Sequence, residues 1–210
     1  GQVRANRTDF SRLSPKLGAT YAINASTHLY ASYNFGFRAP SESQLYRAGN
    51  EATATNALVR TRLALGLKPI EATQAELGLR GNVGAWSYNL VAFHLEKKND
   101  LVGQRDLATN VTTSVNAGKT EHEGIEAGVG ARLGDRLRID TALSFAWHRY
   151  VDWVTTTANF SGRNIESAPN VLANTRLTWN PVPSAMLQLE WVRIGSYWLE
   201  ASNSPAFGKY

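Results

Sequence analysis

Cysteine is missing from all 210 residues, which excludes disulfide staples, thiolate metal sites and a Cys nucleophile. Long apolar runs are missing too. The longest is Leu90–Phe93, four residues, whereas a membrane-spanning helix needs about 20. Gly1–Asp9 is polar and does not read as a signal peptide. Charge is sparse, at 19% of residues, and the net +5 is scattered along the chain. A nucleic-acid footprint would cluster Lys and Arg on one element, so no nucleic-acid partner is expected. No Ser sits in a Gly-flanked elbow, and no enzyme activity or catalytic residue is read.

What is present is aromatic side chains, 21 in all, and alternation with period two. In Thr27–Gly36, Leu29, Ala31, Tyr33 and Phe35 point one way and His28, Tyr30, Ser32 and Asn34 the other. The same pattern recurs in Ser14–Ile23, Ala72–Arg80, Gly124–Leu133, Leu137–His148, Val171–Trp179 and Leu187–Trp191. Trp86–Glu96 alternates less cleanly, and Val91, Phe93 and Leu95 are assigned to its apolar face. The apolar sets carry no charge. The opposing sets carry Lys16, Glu76, Arg80, Glu126, Arg132, Arg138, Asp140, Arg176 and Glu190.

Eight strands are thus expected, many near ten residues long, against about five or six in a typical globular protein. Their connections alternate in length. Short turns rich in Gly, Asn, Ser and Pro fall at Asn24–Ser26, Gly81–Gly84, Gly134–Asp135 and Asn180–Pro183. Long connections run over Phe37–Pro69, Lys97–Lys119, Val151–Ala168 and from Leu199 onward. A soluble β-sandwich shares the alternation but needs neither such strands nor such sorting. A transmembrane barrel needs both, with an apolar face on lipid, a wet polar lumen and aromatic girdles. The chain is therefore read as all-β, an antiparallel transmembrane barrel with short periplasmic turns and long extracellular loops.

Several segments resemble the barrel of TonB-dependent outer-membrane receptors. They are Leu13–Ile23 with Leu29–Tyr46, Gly66–Gly81, Asn116–Val129, Ser167–Trp179 and Leu189–Trp198, in that family's order. Ile70 stands where the family usually has Glu, and Leu65-Gly66 where it often reads Asn-Pro-Asn. Barrels of this kind have 22 strands around a plug. The resemblance implies that residues 1–210 are a partial barrel domain, with plug and final strand outside them. It implies an outer-membrane active transport receptor of a Gram-negative bacterium, taking up a ferric siderophore or similar iron chelate. The energy-coupling TonB complex would act through the plug. A haem receptor of the same family and a passive or structural barrel are the alternatives. Outer-membrane lipid is the expected surroundings, and no cofactor is called for.

The loop Arg38–Lys68 carries a net +3, suited to an anionic chelate. Arg38, Arg47, Arg60 and Arg62, with the aromatics Tyr46, Trp153 and Trp198, are the candidate ligand-binding residues. Phe37-Arg38-Ala39-Pro40 is read first as the exit from a strand into a loop. His28, His94, His122 and His148 stand at spacings that fit no metal motif, and no metal ligand is assigned. His94 and His148 are placed on the lumen face near the outer end. Gly128 and Gly130 are read as space for a close-packed plug.

Overall fold

The computed structural model describes residues 8–45, 66–106, 111–155 and 158–210. Ten strands form. They are β1 (Lys16–Asn24), β2 (Thr27–Arg38), β3 (Ile70–Val83), β4 (Trp86–Lys98), β5 (Leu101–Asp106), β6 (Val111–Asn116), β7 (Lys119–Leu133), β8 (Leu137–Asp152), β9 (Val171–Val182) and β10 (Ala185–Ile194). One short helix, α1 (Glu42–Leu45), follows β2. Eight strands make one antiparallel sheet in the order β1-β2-β3-β4-β7-β8-β9-β10. Each neighbour follows in the chain, except that the β5–β6 hairpin stands between β4 and β7 as a separate two-stranded sheet. All eight expected strands are present. The hairpin is new: Lys97–Lys119 reads as loop in sequence but holds six paired positions, Val102 opposite Val115 among them.

The sheet is open among the described residues. β1 and β10 are its edges, and every residue of both is exposed. An edge presents unpaired backbone donors and acceptors, so this sheet is built to continue into further strands. Four tight turns lie at one end, with Gly84 at φ 58° and Gly134 at φ 71° supplying the left-handed positions such hairpins require.

Register places Leu29, Leu79, Leu90, Ala127, Leu143, Ala173 and Leu189 on one face. Large apolar side chains on that face are open to solvent: Leu77 is 54% exposed and Leu189 68%. Water disfavours such a continuous patch, which calls for an apolar solvent. The buried apolar cluster lies instead at the long-connection end, where Ala117, Tyr150 and Trp153 pack with Val102, Phe160, Ile165 and Ala201.

One face assignment is corrected by the pairing. Leu90 faces Leu79 and Ala127, and Ala92 faces Leu77 and Ile125. So Leu90, Ala92 and His94 share the apolar face, while Val91, Phe93 and Leu95 look to the polar side. Val91 sits between Gly78 and Glu126 and is 8% exposed. Glycine beside it lets the strand bury an apolar side chain on the polar face. His94 accordingly lies on the outer face, not in the lumen.

Candidate ligand-facing surface

The polar face forms a concavity of about 570 Å3 lined by His28, Arg80, Asn89, Gly128, Asp140 and Arg176 among others. Those residues come from β2 through β9, so the sheet curls around its polar side. Its side chains bond one another both along and across the strands. Arg138 donates from two nitrogens to Asp140, at 2.6 Å each. Arg176 and Asn174 both donate to Glu190, at 3.2 and 2.7 Å. Tyr30 donates to Asn89 at 3.1 Å, and Arg80 lies 5.4 Å from the Tyr30 ring centroid. Gly78 exists for that ring: a Cβ there would meet Tyr30 at 2.2 Å. Gly128 is open to the concavity, whereas a Cβ on Gly130 would meet Ser87 and Asp140. Gly130 makes room for the Ser87 and Asp140 side chains of its own sheet.

The outer face is zoned. Trp86 and Trp179 mark the short-turn end, and the edge-to-face pairs Phe145–Trp147 (4.6 Å) and Tyr33–Phe35 (5.1 Å) the other. Beyond the second girdle the same face turns charged. Arg149 bonds Glu123 at 2.9 Å and Glu121 at 3.4 Å, and Lys119 meets Glu96 at 2.5 Å. This order, apolar band between aromatics and then charge, is that of a barrel wall in a bilayer.

The long connections dock on one another. Tyr150, Trp153 and Phe160 stack at 4.5 and 4.4 Å, and Tyr150 donates to Glu166 at 2.7 Å. Asn164 and Asn203 exchange bonds of 2.8 and 2.9 Å, and Arg163 donates to the Ser202 carbonyl. Nearby, the Glu200 carboxyl is held below its usual value, first by Ser202 and then by the Ser204 N–H. Asn116 clamps a second junction: it accepts from the Lys68 N–H at 2.8 Å and donates to the Lys68 and Asn99 carbonyls at 2.9 and 2.8 Å. Beside it Asp100 bonds Lys97 at 2.8 Å and Thr120 at 3.1 Å. Burial pushes the Asp100 carboxyl up, but Lys97 and Thr120 outweigh it and the net shift is downward.

The candidate residues are spread unevenly. Arg38 ends β2, exposed, and Pro40 behind it is buried. Ser41 then caps α1, its N–H donating to Gln44 at 2.9 Å while Gln44 N–H returns to the Ser41 hydroxyl. The strand exit read into Phe37–Pro40 is thus what the backbone makes. Tyr46, Arg47, Arg60 and Arg62 lie outside the described residues. Trp153 is 6% exposed inside the loop cluster, so its faces are taken by Tyr150 and Phe160. Trp198 is half-buried under Lys209, 4.9 Å from its ring. Sequence reasoning missed the pairing of His122 with His148, whose Nδ1 atoms lie 2.8 Å apart across β7 and β8. No sequence spacing reveals it, because 26 residues separate the two.

The sequence model of the family described as "TonB dependent receptor-like, beta-barrel" matches residues 1–210. The chain belongs to this family, whose members are outer-membrane transporters of Gram-negative bacteria and not enzymes. Solved structures share the fold at low identity. A variant of the ferric enterobactin receptor PfeA from Pseudomonas aeruginosa, in complex with enterobactin, superposes with a TM-score of 0.67 at 19% identity, over 94% of this chain and 31% of that one. The copper transporter OprC gives 0.66 at 19% identity, over 86% and 26%. The ferric yersiniabactin receptor FyuA from Yersinia pestis gives 0.62 at 18%, over 93% and 28%. The chain spans about a quarter to a third of the length of these proteins.

Proposed function

We propose that the protein is an outer-membrane active transport receptor that takes up a ferric siderophore or a similar iron chelate, driven by the TonB complex. The carrying observation is the division of the sheet: a lipid-type outer face, a polar concave inner face, and loops docked at one end only. Such a wall needs a larger barrel to close it, and a wide polar lumen is a route for a large polar cargo. The positive loop Arg38–Lys68 draws in an anionic chelate from the outer side, an attraction that salt weakens. Arg38, at the exposed end of β2, stands where that loop leaves the wall. A haem receptor with His94 as ligand does not fit, because His94 faces outward.

Cells carrying the full-length receptor should accumulate an iron-loaded chelate from a panel of anionic siderophores, and a protonophore should stop it. Changing Arg47, Arg60 and Arg62 together to Ala should slow association about ten-fold at low salt, with little change at high salt. Accumulation that persists with the protonophore present would leave only a passive pore.

A further inference from the structure

We propose that His122 and His148 form a two-imidazole site on the lumen wall for a square-planar or octahedral divalent ion, Cu(II) or Ni(II). This inference rests on the sheet register and the side-chain geometry and stands apart from the transport reading above. Both side chains lie on the inner face near the outer end: His122 is opposite His148 in the β7–β8 ladder. Both are half-buried. Their Nδ1 atoms are 2.8 Å apart, with ring centroids at 5.1 Å. Two nitrogens each about 2.0 Å from one ion, at a right angle, are about 2.8 Å apart; a tetrahedral angle sets them at about 3.3 Å. The 2.8 Å separation is that of an N–H···N hydrogen bond between the rings; it also lies within reach of a right-angled chelate, and paired imidazole nitrogens suit Cu(II) and Ni(II).

The surroundings are prepared for the exchange. The two Nδ1 atoms share one proton. An ion takes that place once each ring turns slightly and the proton of His122 moves to its Nε2. There Thr120 Oγ1 lies 3.4 Å away, its own hydrogen donated to Asp100. The His148 ring has the Pro169 carbonyl as acceptor. His122 thus has a hydrogen-bond acceptor for the nitrogen that does not bind the ion, the support that ligating histidines use. The nearby cation Lys97 pairs with Asp100 at 2.8 Å, which offsets part of its repulsion of a bound ion. Further ligands, water or oxygen donors, would come from the lumen side, which both rings face.

A rival cluster lies on the opposite face, and it supplies the control. His94, Glu121 and Glu123 bring ligand atoms within 4.8 Å of one another, but Arg149 already bonds both carboxylates. The test uses the full-length receptor in detergent, with Cu(II) alone as probe. Electron paramagnetic resonance should show one equivalent bound through two nitrogens. His122→Gln and His148→Gln should each weaken binding at least ten-fold, and His94→Ala should leave it unchanged, all three with heat-modifiable gel migration intact. Where a variant does not fold, mass spectrometry of the unsubstituted receptor decides: Cu(II) should protect His122 and His148, not His94, from acylation. Binding that survives both glutamine changes, or that disappears with His94→Ala, overturns the proposal, as does protection of His94 alone.

Discussion

Replacing Leu143 by Arg tests the wall most directly. Leu143 lies on the outer face of β8, between Ala127 and Ala173, and is 43% exposed. Its depth follows from the girdles. Leu137, opposite Trp179, marks the lower one and Trp147 the upper one, ten steps later. Ten steps of about 3.4 Å, tilted by about 45°, rise about 24 Å, the height of the apolar band of an outer-membrane barrel. Leu143 is six steps from the lower girdle and four from the upper, close to the middle. Arg at the midplane costs about 2–4 kcal/mol, roughly a 30-fold to 1,000-fold loss in the folding constant. Ser144, one step on, faces inward opposite Glu126, and Arg there should cost under about 1 kcal/mol. The assay is reversible denaturant unfolding of the full-length barrel in lipid vesicles. Equal costs for Leu143→Arg and Ser144→Arg, or a larger cost for the second, would refute the register and the membrane reading with it.

Gly78→Val should expel the Tyr30 ring, break its bond to Asn89 and cost about 1–3 kcal/mol in the same assay, whereas Gly128→Val, with only the Asn89 carbonyl at 4.0 Å from its Cβ, should cost less. Asn116→Ala removes three bonds that tie Lys68 and Asn99 together, so trypsin should cut after Lys98, beside Asn99, several-fold faster while the barrel stays folded. Asp100 has a folded pKa below its ordinary 3.8, so its contribution is complete above that value and is lost as pH falls through the lower folded one. Pepsin should therefore cleave the β5–β6 hairpin faster at about pH 2 than at about pH 4, and Asp100→Asn should flatten that difference.

The sequence by itself determined the strands, their faces and the end at which the tight turns gather. Period-two alternation is local and survives without knowledge of neighbours, so Leu29 to Phe35 and Ile125 to Leu133 orient themselves. Charge-free outer sets and long strands further pointed to a bilayer. Only the tertiary structure decided the rest. β4 carries apolar residues on both faces, and pairing with β3 and β7 fixed which face meets lipid. The β5–β6 hairpin and the loop core around Tyr150 depend on partners distant in sequence, with Trp153 turned from a surface stacking platform into packing. The same holds for the inner wall. His122 and His148 are ordinary polar positions in their own strands, and only the β7–β8 register, which no local pattern encodes, brings their nitrogens to 2.8 Å.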